Sequence, residues 1–287
     1  MATKVTKLFR PEVGTVHWLN ECIERGKREV FSEVIQMTPG LAGVLLQSNP
    51  DNRCLKPHKL GHFVADMIAD RWTLNGQPII VSKDGLLNDG QHRLTALREA
   101  NLTLPMVVTF GLDRETRTTL DQGTARTAGD FLHMDGGAYA NQCASIARIV
   151  LAYEKGCGRH MRDVTKLTNA EIVARVRTDP GILKAAEYAT HVQKYTQKFA
   201  APAIIGTAFY LLSEIHPADA KEYMDAVAIG EGLRLHDPAH TVRNALLSFG
   251  KGSRQPKIEM ILHGWNKFRA RAKLKLVRSN GIFPALV

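Results

Sequence analysis

Cysteine is scarce in this chain: Cys22, Cys54, Cys143 and Cys157 are the only four in 287 residues, and no two form a C-x-x-C pair. That scatter argues against a disulfide framework or a zinc site and for reduced thiols in a cytosolic protein. Long apolar runs are missing too. None approaches the ~18–20 residues needed to span a bilayer, so no membrane helix is expected. The opening MATKVTKLFRPEVG carries two lysines with no apolar core after them, so a secretory signal is not expected and the reading is cytoplasmic. Repeats and low-complexity segments are absent. The remaining composition, 44% apolar and 23% charged, is that of an ordinary globular chain long enough to bury one large core or two modest ones.

Acidic residues are also short in supply, and unevenly so. The formal net charge is +10. Between residues 251 and 278 stand Lys251, Arg254, Lys257, Lys267, Arg269, Arg271, Lys273, Lys275 and Arg278, against Glu259 alone. A cationic stretch of this density attracts polyanions, chiefly nucleic acid, through salt-sensitive counterion release. Lys267, Arg269, Arg271, Lys273 and Lys275 are the candidate contacts. Trp265 and Phe268 interleave with them, either as stacking surfaces for bases or as the core face of the same helix.

Periodicity predicts one or two amphipathic helices over 15–35, a break at Thr38-Pro39-Gly40, and a short helix from Leu41 to Leu46. A clear helical stripe (Leu60, Phe63, Val64, Met67, Ile68) covers 59–70. A buried strand over 78–82, a helix over 89–100 and a strand over 106–110 follow. Helices are then expected at 113–120 and 127–134, with 121–124 as a loop between them. After Gly137 no strand pattern appears, and helical spacing recurs over 141–153, 168–177, 181–194, 200–215, 218–229, 238–249 and 257–276. The fold class expected is therefore α+β: a small mixed-sheet domain followed by an all-helical one. The boundaries read as a helical lead-in over 1–48, the sheet domain over 49–135, and the helical domain with a basic last helix over 136–287.

The most informative stretch is GLLNDGQHRLTALREA, residues 85–100. A strand runs through a Lys83-Asp84-Gly85 turn into Asp89-Gly90-Gln91-His92-Arg93, where a helix opens. Asp89 is a good N-cap residue, Gly90 allows close approach to the backbone, and His92 and Arg93 sit where amides and helix dipole favour an anion. A phosphate suits that arrangement; ordinary turn chemistry is the plainer reading.

Three blocks in order resemble the ParB/sulfiredoxin superfamily. Asn52-Arg53, the 59–70 helix, Trp72 and Gly76-Gln77-Pro78 with the following strand are similar to its opening. Asp89-Gly90-Gln91-His92-Arg93-Leu94-Thr95-Ala96 is similar to its phosphate loop, in the D-G-Q-H-R-L form of many phage and mobile-element proteins. Leu120 to Thr127 stands in the place of its acidic-Asn-x-x-Arg block. The resemblance implies a nucleotide-binding domain in a protein acting on or next to DNA, in the host cytoplasm if phage-encoded. It implies phosphate contacts from Gly90, Gln91, His92, Arg93, Arg126 and Arg53. Asp89 and Asp121 become the candidate catalytic residues and Mg²⁺ ligands, for NTP hydrolysis or phosphoryl transfer. Gln91 stands where sulfiredoxins carry a catalytic cysteine, which removes that chemistry, and no helix-turn-helix follows as in partition proteins. The competing readings are a non-catalytic DNA-binding module, a metal-dependent nuclease, and a protein–protein role. Oligomeric state stays open.

Overall fold

The computed structural model describes residues 13–50, 54–119, 126–156, 158–159, 161, 167–250 and 253–287. Arg53, Asn52 and Asp121 lie outside them, as does the 121–124 loop. The chain divides into two compact units, 1–125 and 126–287. It is an α+β protein, with a small four-stranded mixed sheet in the first unit and a run of helices in the second.

The first unit opens with α1 (Val16–Gly26), whose first turn is capped by the Thr15 hydroxyl accepting from Trp18 N at 3.1 Å. The helix expected to continue toward residue 35 stops at Gly26. Phe31–Met37 is instead a strand, β1. Its side chains alternate: Ile35 and Met37 are buried and Phe31 and Glu33 half-buried, while Ser32, Val34 and Gln36 face outward. That is a period of two, the signature of a strand with one covered face. Thr38 then caps α2 (Pro39–Gln47) by accepting from Leu41 N at 3.2 Å, with proline at the first helical position. Thr38-Pro39-Gly40 therefore starts a helix.

After α3 (Pro57–Ile68) come β2 (Ile79–Ser82), β3 (Leu87–Asp89), α4 (Gln91–Ala100) and β4 (Leu104–Leu112). The residues expected to be helical over 113–120 form a 3-10 turn, Arg114–Thr119. The sheet order is β1-β4-β2-β3; β1 lies antiparallel to β4, β4 parallel to β2, and β2 antiparallel to β3. Every residue of β2 is buried, as befits an inner strand. One core joins Trp18 and Leu19 of α1, Ile35 and Met37 of β1, Leu41 and Leu45 of α2, and Leu94 and Leu97 of α4. Residues 13–48 thus belong to the sheet unit rather than forming a separate lead-in.

The second unit holds α5 (Ala128–Met134), α6 (Ala140–Lys155), α7 (Asn169–Thr178), α8 (Pro180–Thr196), α9 (Pro202–Ser213), α10 (Pro217–Ile229), α11 (Pro238–Phe249) and α12 (Arg254–Arg269). The expected boundary after residue 135 falls ten residues too late, because Ala128 and Leu132 of α5 pack into the helical core. Thr127 caps α5 with a full capping box to Asp130, whose carboxyl is held below its ordinary pKa first by the Thr127 backbone N–H. Tyr223 and Trp265 are fully buried at the centre of this unit, rings 5.9 Å apart.

The basic last helix ends earlier than expected. It stops at Arg269; Ala270 caps it and Arg271 turns into the left-handed region at φ +50°. From there the chain runs as a non-helical strap. Leu274 N donates to His236 O at 2.9 Å and Leu274 O accepts from the Thr241 hydroxyl at 2.5 Å. Further on, Val277 and Phe283 are buried. Among the described residues, no helix is long and apolar enough to cross a membrane.

Candidate functional site

The β3–α4 corner carries the Asp89-Gly90-Gln91-His92-Arg93 sequence. Asp89 is the last residue of β3 and not the helix cap; Gly90 takes that position at φ +110°, with no side-chain cap bond. Glycine is required there. Any L side chain is strained at that φ, and a Cβ would come within 2.5 Å of Ile79 Cδ1. The next three residues are polar and yet almost fully enclosed: Gln91 is 9% exposed, His92 6% and Arg93 6%. Three consecutive helical positions cannot all face one apolar core, so this turn is surrounded on every side by other segments.

Each of the three is held by a different segment. Gln91 Oε1 accepts from Asn49 Nδ2 at 2.9 Å. His92 Nε2 accepts from Lys56 N at 2.9 Å, which fixes that nitrogen as the unprotonated one. Arg93 donates from Nη1 to Gln77 O at 2.7 Å, and from Nη2 to Pro78 O and Asp89 Oδ2, both at 2.8 Å. Its guanidinium fork is directed at the protein itself, tying the segment entering β2 to the end of β3. Arg93, expected to turn its fork toward phosphate, acts here as an internal brace. Strong two-pronged donation to fixed acceptors makes such a brace rigid.

Sequence reasoning missed a neighbouring pair. Asn88, 5% exposed, donates to Asp113 O at 3.0 Å and accepts from Arg114 Nη1 at 2.9 Å; Arg114 also reaches Leu87 O at 2.8 Å. The available signal was a lone amide in a strand next to Asp89. Trp72 packs against Phe63, ring centroids 6.0 Å apart, beside the first unit's core.

The expected site residues are only partly described. Asp89, Gly90, Gln91, His92 and Arg93 are together, whereas Asp121 and Arg53 fall outside the described residues. Arg126 is exposed at the start of the second unit, where its carbonyl accepts from Asn169 Nδ2 at 2.8 Å. Of the two aspartates assigned to Mg²⁺, Asp89 is the described one, and its carboxylate already pairs with Arg93. Among the described residues, no group of three or more His, Cys, Asp or Glu side chains is placed to hold a metal ion.

The second unit contains hollows of different character. A cleft of about 1000 Å³ lies among α8, α9 and α10, with Tyr188 stacked on Phe209 at 4.0 Å. Two of its carboxylates are already engaged. Asp225 accepts from Tyr188 at 2.9 Å and from Lys221 at 2.6 Å, and Asp179 accepts from Tyr210 at 2.7 Å. Burial, then the bond to Asp179, pushes the Tyr210 hydroxyl up to about 12. A groove of about 600 Å³ runs between α11 and the C-terminal strap.

The cationic stretch sorts itself sharply. Lys257 is buried and donates to Phe199 O at 2.7 Å, and Arg269 pairs with Asp219. Lys267, Arg271, Lys273, Lys275 and Arg278 are exposed, with no ion-pair partner among the described residues. The single carboxylate of the stretch, Glu259, is fully buried. It accepts from the Ser279 hydroxyl at 2.5 Å, Asn280 N at 2.6 Å and Gly281 N at 3.1 Å. The surface of the stretch therefore presents cations alone. Trp265 belongs to the core, its Nε1 donating to Val287 O at 2.8 Å, and half-buried Phe268 packs on Tyr223, so neither is a stacking platform. Comparison with models of known families, with curated proteins and with solved structures finds no match for this chain.

Proposed function

We propose that the chain binds nucleic acid without catalysis, through the cations of its C-terminal stretch. One observation carries this reading: Lys267, Arg271, Lys273, Lys275 and Arg278 are exposed while Glu259, the one carboxylate within residues 251–278, is buried. A cationic surface with no internal partner releases counterions when a phosphate backbone neutralises it. The strap is also tied down at both ends, so little ordering entropy opposes the contact. Fluorescence anisotropy with a labelled DNA oligonucleotide tests it over a range of salt. Affinity should fall with salt by a log–log slope of about −0.9 for each phosphate neutralised on duplex DNA. Replacing Lys273, Lys275 and Arg278 with glutamate should abolish binding. Salt-independent affinity, or an unchanged triple variant, would remove the reading.

A second reading keeps a nucleotide at the β3–α4 corner, in line with the ParB/sulfiredoxin resemblance. It is favoured by Gly90, which opens α4 without a side-chain cap in a conformation that strains any other residue. In this version Arg93 shapes the corner and contacts no phosphate. A thermal-shift panel of ribo- and deoxynucleoside triphosphates, with and without Mg²⁺, separates the two. A specific ligand at 100 times its Kd stabilises by about 2.7 kcal/mol. A flat panel leaves the nucleic-acid reading alone.

A further inference from the structure

The groove between α11 and the strap has a composition that the cationic surface alone does not require. Its floor and walls include Leu235, Phe249 and Leu276, which are 73%, 41% and 62% exposed. Leaving three large apolar side chains this open in one place is costly unless something covers them. Two imidazoles, His236 and His240, share the lining with Phe249, so three aromatic rings face one trough. Lys275 and Arg278 stand along the strap side, and no carboxylate lines the groove. Asn244 and Ser248 add amide and hydroxyl groups able to read polar edges.

The trough is pre-built. Leu274 is clipped from both its N–H and its carbonyl to His236 and Thr241, which fixes Lys273 and Lys275 on either side of the clip. His236 itself sits in the left-handed region at φ +70°, an uncommon state for a residue other than glycine. The three donors on Glu259 anchor the far end of the strap. Cations at fixed spacing beside an open apolar trough match a polymer whose charges run along one edge and whose flat apolar faces are free.

We propose that this groove binds single-stranded nucleic acid, with unstacked bases lying against Phe249, His236 and His240 while Lys273, Lys275 and Arg278 hold the backbone. The inference rests on the nucleic-acid reading and narrows it. A duplex offers the same phosphates, but its bases are stacked inside and cannot enter an apolar trough. An acidic peptide offers charge and apolar groups, but not flat rings in register with each charge.

The test uses the full chain and three probes at 0.15 M salt: labelled dT12, a 12-base-pair duplex, and a polyglutamate peptide as competitor. The expected result is dT12 binding about tenfold tighter than the duplex, with polyglutamate a poor competitor. Phe249→Ala should weaken dT12 about tenfold and leave the duplex unchanged, because stacking and charge are lost separately. Phe249→Leu keeps the apolar volume and removes the ring; it should show the same loss if Phe249→Ala compromises folding. Duplex binding as tight as dT12, or insensitivity of dT12 to both Phe249 variants, overturns the groove assignment while the nucleic-acid reading stands. Polyglutamate displacing dT12 efficiently also overturns it, in favour of an acidic partner. Failure of both oligonucleotides removes the broader reading as well.

Discussion

Two arginine-containing regions of this protein look alike on paper and behave oppositely in space. At the β3–α4 corner, the cation turns inward: Arg93 is spent on two carbonyls and Asp89. Along the C-terminal strap the carboxylate turns inward, into three donors on Glu259, and the cations turn out. In both places a buried charge organises loops by satisfying their backbone groups, and at the strap cations are what solvent sees. A motif therefore signals the presence of a charge more reliably than the direction it faces. Direction is set by which backbone groups would otherwise be buried without partners.

The sharpest way to break this contrast is at Arg93. Arg93→Ala should destabilise the first unit by about 3 kcal/mol, since the nearly enclosed guanidinium gives up three charge-assisted hydrogen bonds, to Gln77 O, Pro78 O and Asp89. Urea unfolding measures it. Arg93→Lys should recover only part, lacking the fork. A variant unfolding at the same urea concentration as the parent protein would mean the guanidinium is not a brace. At the other region, Glu259→Gln should cost about 1.5–3 kcal/mol, because hydrogen bonds to a charged acceptor are the stronger class. Hydrogen exchange should show the amides of Asn280 and Gly281 losing protection first; unchanged exchange would disconnect the strap from Glu259.

Glycines sharpen the comparison within the first unit. Gly90→Ala should cost about 1–3 kcal/mol through backbone strain at φ +110°. Gly61→Ala lies inside α3 with nothing near its Cβ, and should stabilise by about 0.5–1 kcal/mol. Thermal melts of the pair that move in the same direction would contradict the corner geometry. The smallest expected effect is on stability at the strap. Lys273→Glu with Lys275→Glu should stay within about 0.5 kcal/mol of the parent, because both side chains are exposed and unpaired among the described residues. A larger loss would show that these cations hold the fold together rather than a ligand.

Much of the helical framework was legible. The α3 stripe, and the helices expected over 168–177 and 238–249, lie within a residue or two of where periodicity placed them. β1 was not legible because it follows α1 closely, and Val34 on its outward face, 57% exposed, blurred the alternation that marks a strand. β3 is three residues long and exists only by pairing with β2. Helical spacing in 257–276 runs past Arg269, yet the chain leaves the helix there because the Leu274 clip and the Glu259 donors hold it in a different path. At the candidate site, Asp89 read as a cap and Arg93 as a ligand fork; local sequence carries no trace of the Gln77 and Pro78 carbonyls, a dozen or more residues away, that claim the guanidinium.

The sequence by itself determined the division of labour: strands confined to the first part, helices in the second, a helix opening at the Asp89–Gly90 corner, and a surplus of positive charge near the end. Those follow from local periodicity, backbone preference and net charge, which need no neighbours. Only the tertiary structure decided which charges are spent inside and which remain for a partner. Burying a carbonyl or a carboxylate demands a donor, and that donor is recruited across long stretches of chain by packing, not by adjacency.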